Sequence, residues 1–179
     1  MPGADILELS FRKAAKTDVH DIVALVNSAY RGESSKVGWT NEADLVDGPR
    51  TDAEDISRLV ETDGSMILIC LTESEIAGCV HLEKVAGGAY LGMLAIKPSL
   101  QGGGIGKRFM EAAELAAREA WGAEKIMMTV ITARHELIAF YERRGYKRTG
   151  EMTALPISSR GGLSKVGVLQ LELLEKRIC

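Results

Sequence analysis

The sequence predicts a mixed α/β domain, in which an antiparallel meander of strands feeds a β-α-β-α crossover and helices flank the sheet. Three observations predict it. Apolar runs at 65–72 (SMILICLT), 76–85 (IAGCVHLEKV) and 89–96 (AYLGMLAI) follow one another, with turns at Glu73-Ser74-Glu75 and Gly87-Gly88. A glycine-rich turn then opens a helix over 104–121. Its Phe109, Ala112, Ala113, Ala116 and Ala120 recur at helical spacing, and small residues on one stripe let a helix lie close to a sheet. Finally, 125–132 (KIMMTVIT) reads as a buried strand, and 136–144 as a short helix stopped by Gly145.

The remaining elements fall around this centre. A short strand over 7–14 (LELSFRKA) leads to a helix in which Val19, Ile22, Val23, Val26, Ala29 and Tyr30 share a face, capped by Thr17 or Asp18. Residues 32–52 lose periodicity and read as a long loop, a length that usually serves as a lid or a recognition loop. A helix over 52–61 follows. A last strand over 163–174 carries Val166, Val168 and Leu171 as apolar positions. One domain, spanning 6–178, accounts for all of this.

Composition narrows the function. The chain has 179 residues, 46% hydrophobic and 26% charged, which fits one globular domain and excludes disorder. A net charge of -3 argues against sequence-independent binding of nucleic acid, which needs a basic surface. No apolar run reaches the roughly 18–20 residues of a membrane span, and the first ten residues lack the features of a secretory signal. Cys70, Cys79 and Cys179 follow no metal-ligand spacing, so no metal is expected and the cytoplasm is the expected location.

The turn Gln101-Gly102-Gly103-Gly104-Ile105-Gly106-Lys107 joins strand to helix. Glycines there let several N–H groups converge at the positive end of a helix, a cradle for phosphate. It is not a Walker loop, which would need Gly at 101 and Ser or Thr at 108, where Gln101 and Arg108 stand. The dinucleotide fingerprint fails as well, because its third glycine would fall at Phe109. Gln101, Gly104 and Gly106 do fit Gln-x-x-Gly-x-Gly, preceded by LGMLAIKP. This resembles motif A of the GNAT N-acetyltransferases. A second segment, 137–146 (LIAFYERRGY), is similar to that family's A-I-x-[LF]-Y-x-x-x-G-[FY], and the likeness runs from Phe11 to about Leu173.

The resemblance implies the GNAT acyl-CoA N-acyltransferase fold and acetyl-CoA as cosubstrate. It implies that the N–H groups of residues 102–107, including Ile105, hold the pyrophosphate, with Gln101 and Lys107 beside them. Leu94, Ala95 and Ile96 would hold the pantetheine arm, where the sheet splays near Met93, and the Leu94 region would supply an oxyanion donor. Tyr141 matches the family tyrosine that gives a proton to the departing thiolate; an ordinary tyrosine pKa near ~10 keeps that proton available. Two positions depart from the pattern. Arg134 stands where members often carry Asn, and Tyr90 where some carry a catalytic Glu.

An amine acceptor must lose a proton before it attacks. Glu83 is the candidate base, with His81, Glu42, Asp44 and a water chain left open; alternation puts His81 and Glu83 on one strand face. Trp39, Glu42, Asp44 and Tyr90 are candidate acceptor contacts. An aromatic wall with negative charge suits a small cationic amine, while the same loop also reads as a solvated turn anchored by Trp39. Arg143 and Arg144 read as a solvated helix face. The expected reaction is direct attack, in a ternary complex, by the primary amine of a small amino-acid-like or polyamine-like molecule. A protein or peptide amine is the alternative within the class, and a non-catalytic acyl-CoA sensor is the alternative outside it. A nucleotide-binding regulator would rest on the glycine turn alone. A homodimer is expected only by analogy, from members that pair through their C-terminal strands.

Overall fold

The computed structural model describes residues 7–73, 75–155 and 163–178. In chain order, β1 (Leu9–Lys13) leads to α1 (Val19–Tyr30), the four-residue α2 (Gly32–Ser35), the two-residue β2 (Val46–Asp47) and α3 (Ala53–Glu61). The meander is β3 (Ser65–Thr72), β4 (Glu75–Val85) and β5 (Gly88–Ile96). Then come α4 (Ile105–Trp121), β6 (Lys125–Ile131), α5 (His135–Glu142), β7 (Lys147–Ala154), β8 (Leu163–Ser164) and β9 (Gln170–Arg177). Seven strands form one sheet in the order β1-β3-β4-β5-β6-β9-β7, and β2 pairs with β8 apart from it.

Strand alternation sends side chains to two cores, one on each face. On one face Val80, Leu82, Leu91 and Ile126 meet Phe109, Met110 and Ala113 of α4. On the other, Ile67, Ile69 and Cys79 meet Ile22 and Val26 of α1 and Ile56 of α3. Asp52 fixes the start of α3 by accepting the Asp55 N–H at 2.8 Å. Cys70 and Cys79 are fully buried free thiols, while Cys179 lies outside the described residues.

Several expectations change. The strand β7 is absent from the sequence reading because it has no apolar face: as the outermost strand it leaves nearly every residue exposed. The predicted last strand divides into β8 and β9, and Val166 and Val168, expected on its apolar face, are 57% and 84% exposed in the turn between. Segment 32–52 is not structureless, since it contains α2 and β2. The buried stripe of α4 runs through Ile105, Phe109, Met110, Ala113 and Ala117, leaving Ala120 exposed. The β4–β5 turn is Ala86-Gly87, with Gly88 already paired to Val85. Of the predicted β3–β4 turn, Ser74 lies outside the described residues.

The site depends on one irregularity. β5 and β6 run parallel but pair only at Ala89↔Ile126 and Tyr90↔Met127, after which they part. Gly88 sits at the root of this fork, where a Cβ would lie 2.2 Å from the Lys125 carbonyl oxygen. Met93 takes a left-handed φ of 52°, and the β4–β5 register slips between Cys79 and His81, which bends β5 away from β6.

Candidate active site

Two cavities open where the fork parts. One, of about 370 Å³, lies against the start of α4 and takes in Leu94, Ala95, Ile96, Gln101, Gly104 and Lys107. The other, of about 400 Å³, lies under α1, α3 and residues 50–51 and takes in Arg50, His81, Tyr90 and Thr129. Tyr30, Leu94, Arg134, Leu137 and Tyr141 line both, so the cavities meet at these residues.

The glycine turn shapes the first cavity. Gly102 and Gly104 adopt φ of 84° and 81°, a region closed to most side chains, and Gly104 directly precedes α4. Gly106 turns no side chain toward Phe140, whose Cζ would lie 3.2 Å from a Cβ. Gln101 donates from Nε2 to the Ile96 carbonyl at 3.1 Å, while its side chain fills the space beside Gly38. It therefore ties β5 to the 38–40 segment. Gly103 is exposed and the Ile105 side chain is buried in the core, and neither is among the residues that line this cavity.

Tyr141 is 5% exposed, and its hydroxyl has no hydrogen bond to another described residue. Desolvation pushes its pKa well above the ordinary tyrosine value, so the proton stays on the oxygen at neutral pH. Tyr30, which the sequence reading placed only on a helix face, is the second tyrosine of the junction. Its hydroxyl donates to the Leu94 carbonyl at 2.7 Å, and burial pushes its pKa up to about 12.

The remaining candidates separate. Tyr90 faces the second cavity, its hydroxyl 2.7 Å from Thr129 Oγ1. His81 also lines that cavity, whereas Glu83 is exposed and lies in neither. Trp39 lines the first cavity, its ring 5.9 Å from that of Phe140, and so stands on the side opposite the one expected. Asp44 lies outside both cavities and pairs with Lys36 at 3.4 Å. Glu42 reaches the second cavity, but its carboxylate is taken: Oε2 accepts from Arg31 Nε at 2.9 Å and Oε1 from an Arg134 guanidinium nitrogen at 3.1 Å. Arg134 also donates to Thr40 Oγ1 at 2.8 Å, and its buried Nε has no hydrogen-bond partner among the described residues. Arg143 and Arg144 are not merely a solvated face. Both line the first cavity, with the Arg144 guanidinium 4.1 Å above the Phe140 ring.

The model of the acetyltransferase (GNAT) family matches residues 21–146, well over half of the chain. The chain belongs to this family. Solved structures agree on the fold. An acetyltransferase of the GNAT family from Streptococcus pneumoniae is 19% identical with a TM-score of 0.66, over 96% of this chain and 100% of that one. A ribosomal-protein-alanine N-acetyltransferase from Brucella melitensis is 18% identical with a TM-score of 0.69, over 94% and 99%. A spermidine N-acetyltransferase from Vibrio cholerae, solved with CoA and spermine, is 15% identical with a TM-score of 0.67, over 94% and 95%. No curated protein matches by sequence.

As a GNAT N-acetyltransferase the protein uses acetyl-CoA. The start of the 17-residue α4 offers unpaired N–H groups to a pyrophosphate, with Lys107, Arg143 and Arg144 around it. Beyond Tyr90 the β6-facing edge of β5 has no partner strand, as an amide-bearing arm requires. Among the described residues no group of three His, Cys, Asp or Glu is placed to hold a metal, and no helix is long and apolar enough to cross a membrane.

Proposed function

We propose that the protein moves the acetyl group of acetyl-CoA directly to the primary amine of a small molecule. The observation that carries this reading is the meeting of two cavities at a tyrosine whose hydroxyl has no hydrogen bond to another described residue. The first cavity would hold the cosubstrate, with residues 94–96 along its arm and residues 101–107 on its phosphates. The second would hold the acceptor. Tyr141 would then give its proton to the departing thiolate. Transfer without an acetyl-cysteine is supported by the thiols: burial pushes Cys70 up to about 11 and Cys79 up to about 12, so neither is a thiolate at neutral pH. Free buried thiols also suit the reducing cytoplasm, the location we assign.

For the base we put His81 ahead of Glu83, on the geometry of one hydrogen-bond chain. Ser65 Oγ donates its single proton to the Leu59 carbonyl at 2.7 Å, so it can only accept from His81 Nε2, 2.9 Å away. The ring therefore carries its proton on Nε2 and leaves the Nδ1 lone pair free. Burial lowers the His81 pKa below its ordinary value, which keeps the ring neutral at pH 7. At saturating acceptor, kcat should be level from neutral pH upward and fall only in acid, below the ordinary histidine pKa, as the ring takes up a proton. His81→Gln should remove that acid limb and lower kcat about tenfold, less than the usual effect of a positioned base because water can relay the proton. A pH profile that His81→Gln leaves unaltered would remove His81 from the reaction.

Calorimetric titration tests the whole reading. Acetyl-CoA should bind saturably while ATP and NAD do not, and Gly104→Glu should weaken acetyl-CoA by about tenfold, through strain at positive φ and repulsion of phosphate. Absence of acetyl-CoA binding to the folded protein would overturn the proposal.

A further inference from the structure

We infer that the acceptor carries a carboxylate as well as its amine, and that Arg50 receives the carboxylate; this rests on the reading of the second cavity as the acceptor site. Among the described residues, four arginines, Arg31, Arg50, Arg58 and Arg134, face that cavity against two carboxylates, Glu42 and Asp55. Arg31 and Arg134 share Glu42, and Arg58 reaches Asp55 at 3.5 Å. Arg50 is the exception: no carboxylate of the described residues pairs with it. His81 is neutral at pH 7 and adds no charge to offset or reinforce it.

Arg50 is also firmly placed. Its backbone N–H donates to Asn27 Oδ1 at 2.7 Å, and Asn27 closes the loop by donating from Nδ2 to the Thr51 carbonyl at 3.1 Å. One turn before it, the Gly48 carbonyl accepts from Arg31 at 3.2 Å. The Arg50 guanidinium lies 5.5 Å from the centre of the Tyr30 ring, and that of Arg134 lies 5.6 Å from the same centre. A half-buried guanidinium stays charged, and a neighbouring guanidinium raises the need for a counter-charge. A carboxylate meets the planar fork with two parallel hydrogen bonds.

Tyr30 sets the separation. Its hydroxyl holds the Leu94 carbonyl at the meeting of the cavities, while its ring carries Arg50. A molecule whose carboxylate reaches Arg50 and whose amine reaches Leu94 and Tyr141 therefore spans about one tyrosine side chain, the scale of an amino acid. A polyamine-like acceptor would bring further positive charge to a wall that already has an excess.

The test measures CoA thiol release from acetyl-CoA with a panel of amino acids, each beside its carboxamide and its decarboxylated amine. The same preparation is titrated calorimetrically with acetyl-CoA. At least one amino acid should show kcat/KM tenfold or more above its carboxamide. Arg50→Gln should erase most of that preference through KM and leave acetyl-CoA affinity unaltered. Arg50→Lys, with the charge but without the fork, should keep part of it. If acetyl-CoA binds but carboxamides or plain amines serve as well as amino acids, or no amino acid reacts, the inference is overturned and the transferase reading stands. A preference that survives Arg50→Gln overturns the role of Arg50. No acetyl-CoA binding would bring down both readings.

Discussion

Tyr141→Phe should lower kcat by about 10²-fold while leaving acetyl-CoA affinity within a factor of two, the pattern of a group needed only as the transition state forms. The argument rests on the contrast between the two tyrosines at the junction. Tyr30 has already committed its proton to the Leu94 carbonyl. Tyr141 has committed its proton to nothing among the described residues, and burial holds that proton on the oxygen. Phe keeps the ring contacts with Phe140 and Tyr146, at 5.4 and 5.9 Å, so the helix should stay in place. Single-turnover rates beside calorimetry separate the two effects. Unaltered turnover would leave the thiolate to take its proton from water.

Glu42→Gln should cost about 3–5 kcal/mol of stability, because it leaves two buried guanidiniums facing each other without the charge between them. Arg31, Glu42 and Arg134 have side chains 8%, 8% and 7% exposed, so solvent screens little of the repulsion. The corresponding fall in melting temperature is on the order of 10 °C for a chain of this size. The Glu42 N–H also donates to the Tyr30 carbonyl at 2.8 Å, so loss of order here would reach the junction itself. Thermal unfolding followed by circular dichroism reads the effect. A melting temperature within a degree or two of the parent would show that the cluster is solvated after all.

These two residues illustrate what a sequence discloses and what it hides. That the glycine turn and Tyr141 belong to one cavity was legible because this cavity is built locally, from one turn and one helix whose spacing survives in the string of letters. The meander and α1, α3 and α4 were legible for a similar reason, since apolar periodicity reports a buried face. Glu42 was misleading. Its partners lie 11 and 92 positions away, so the sequence offers an acidic loop residue where the fold makes an internal counter-ion. Arg50 and Tyr30 gain their meaning only where α1 crosses β5, and no local pattern marks that crossing. β7 escaped because an outermost strand need not hide an apolar face. The Nε2 proton of His81 was likewise beyond reach, as it is set by Ser65 on a neighbouring strand.

The fork between β5 and β6 behaves as a lever whose fulcrum is a missing side chain. Only two rungs hold the strands together, and beside them Gly88 lets the Lys125 carbonyl come closer than any Cβ would permit. A methyl group at 88 would push on that carbonyl and wedge the root open. The displacement would grow along both strands toward Leu94, altering the gauge of the passage without touching a residue that lines it. The aperture between the two cavities is thus calibrated remotely, by an atom the chain leaves out.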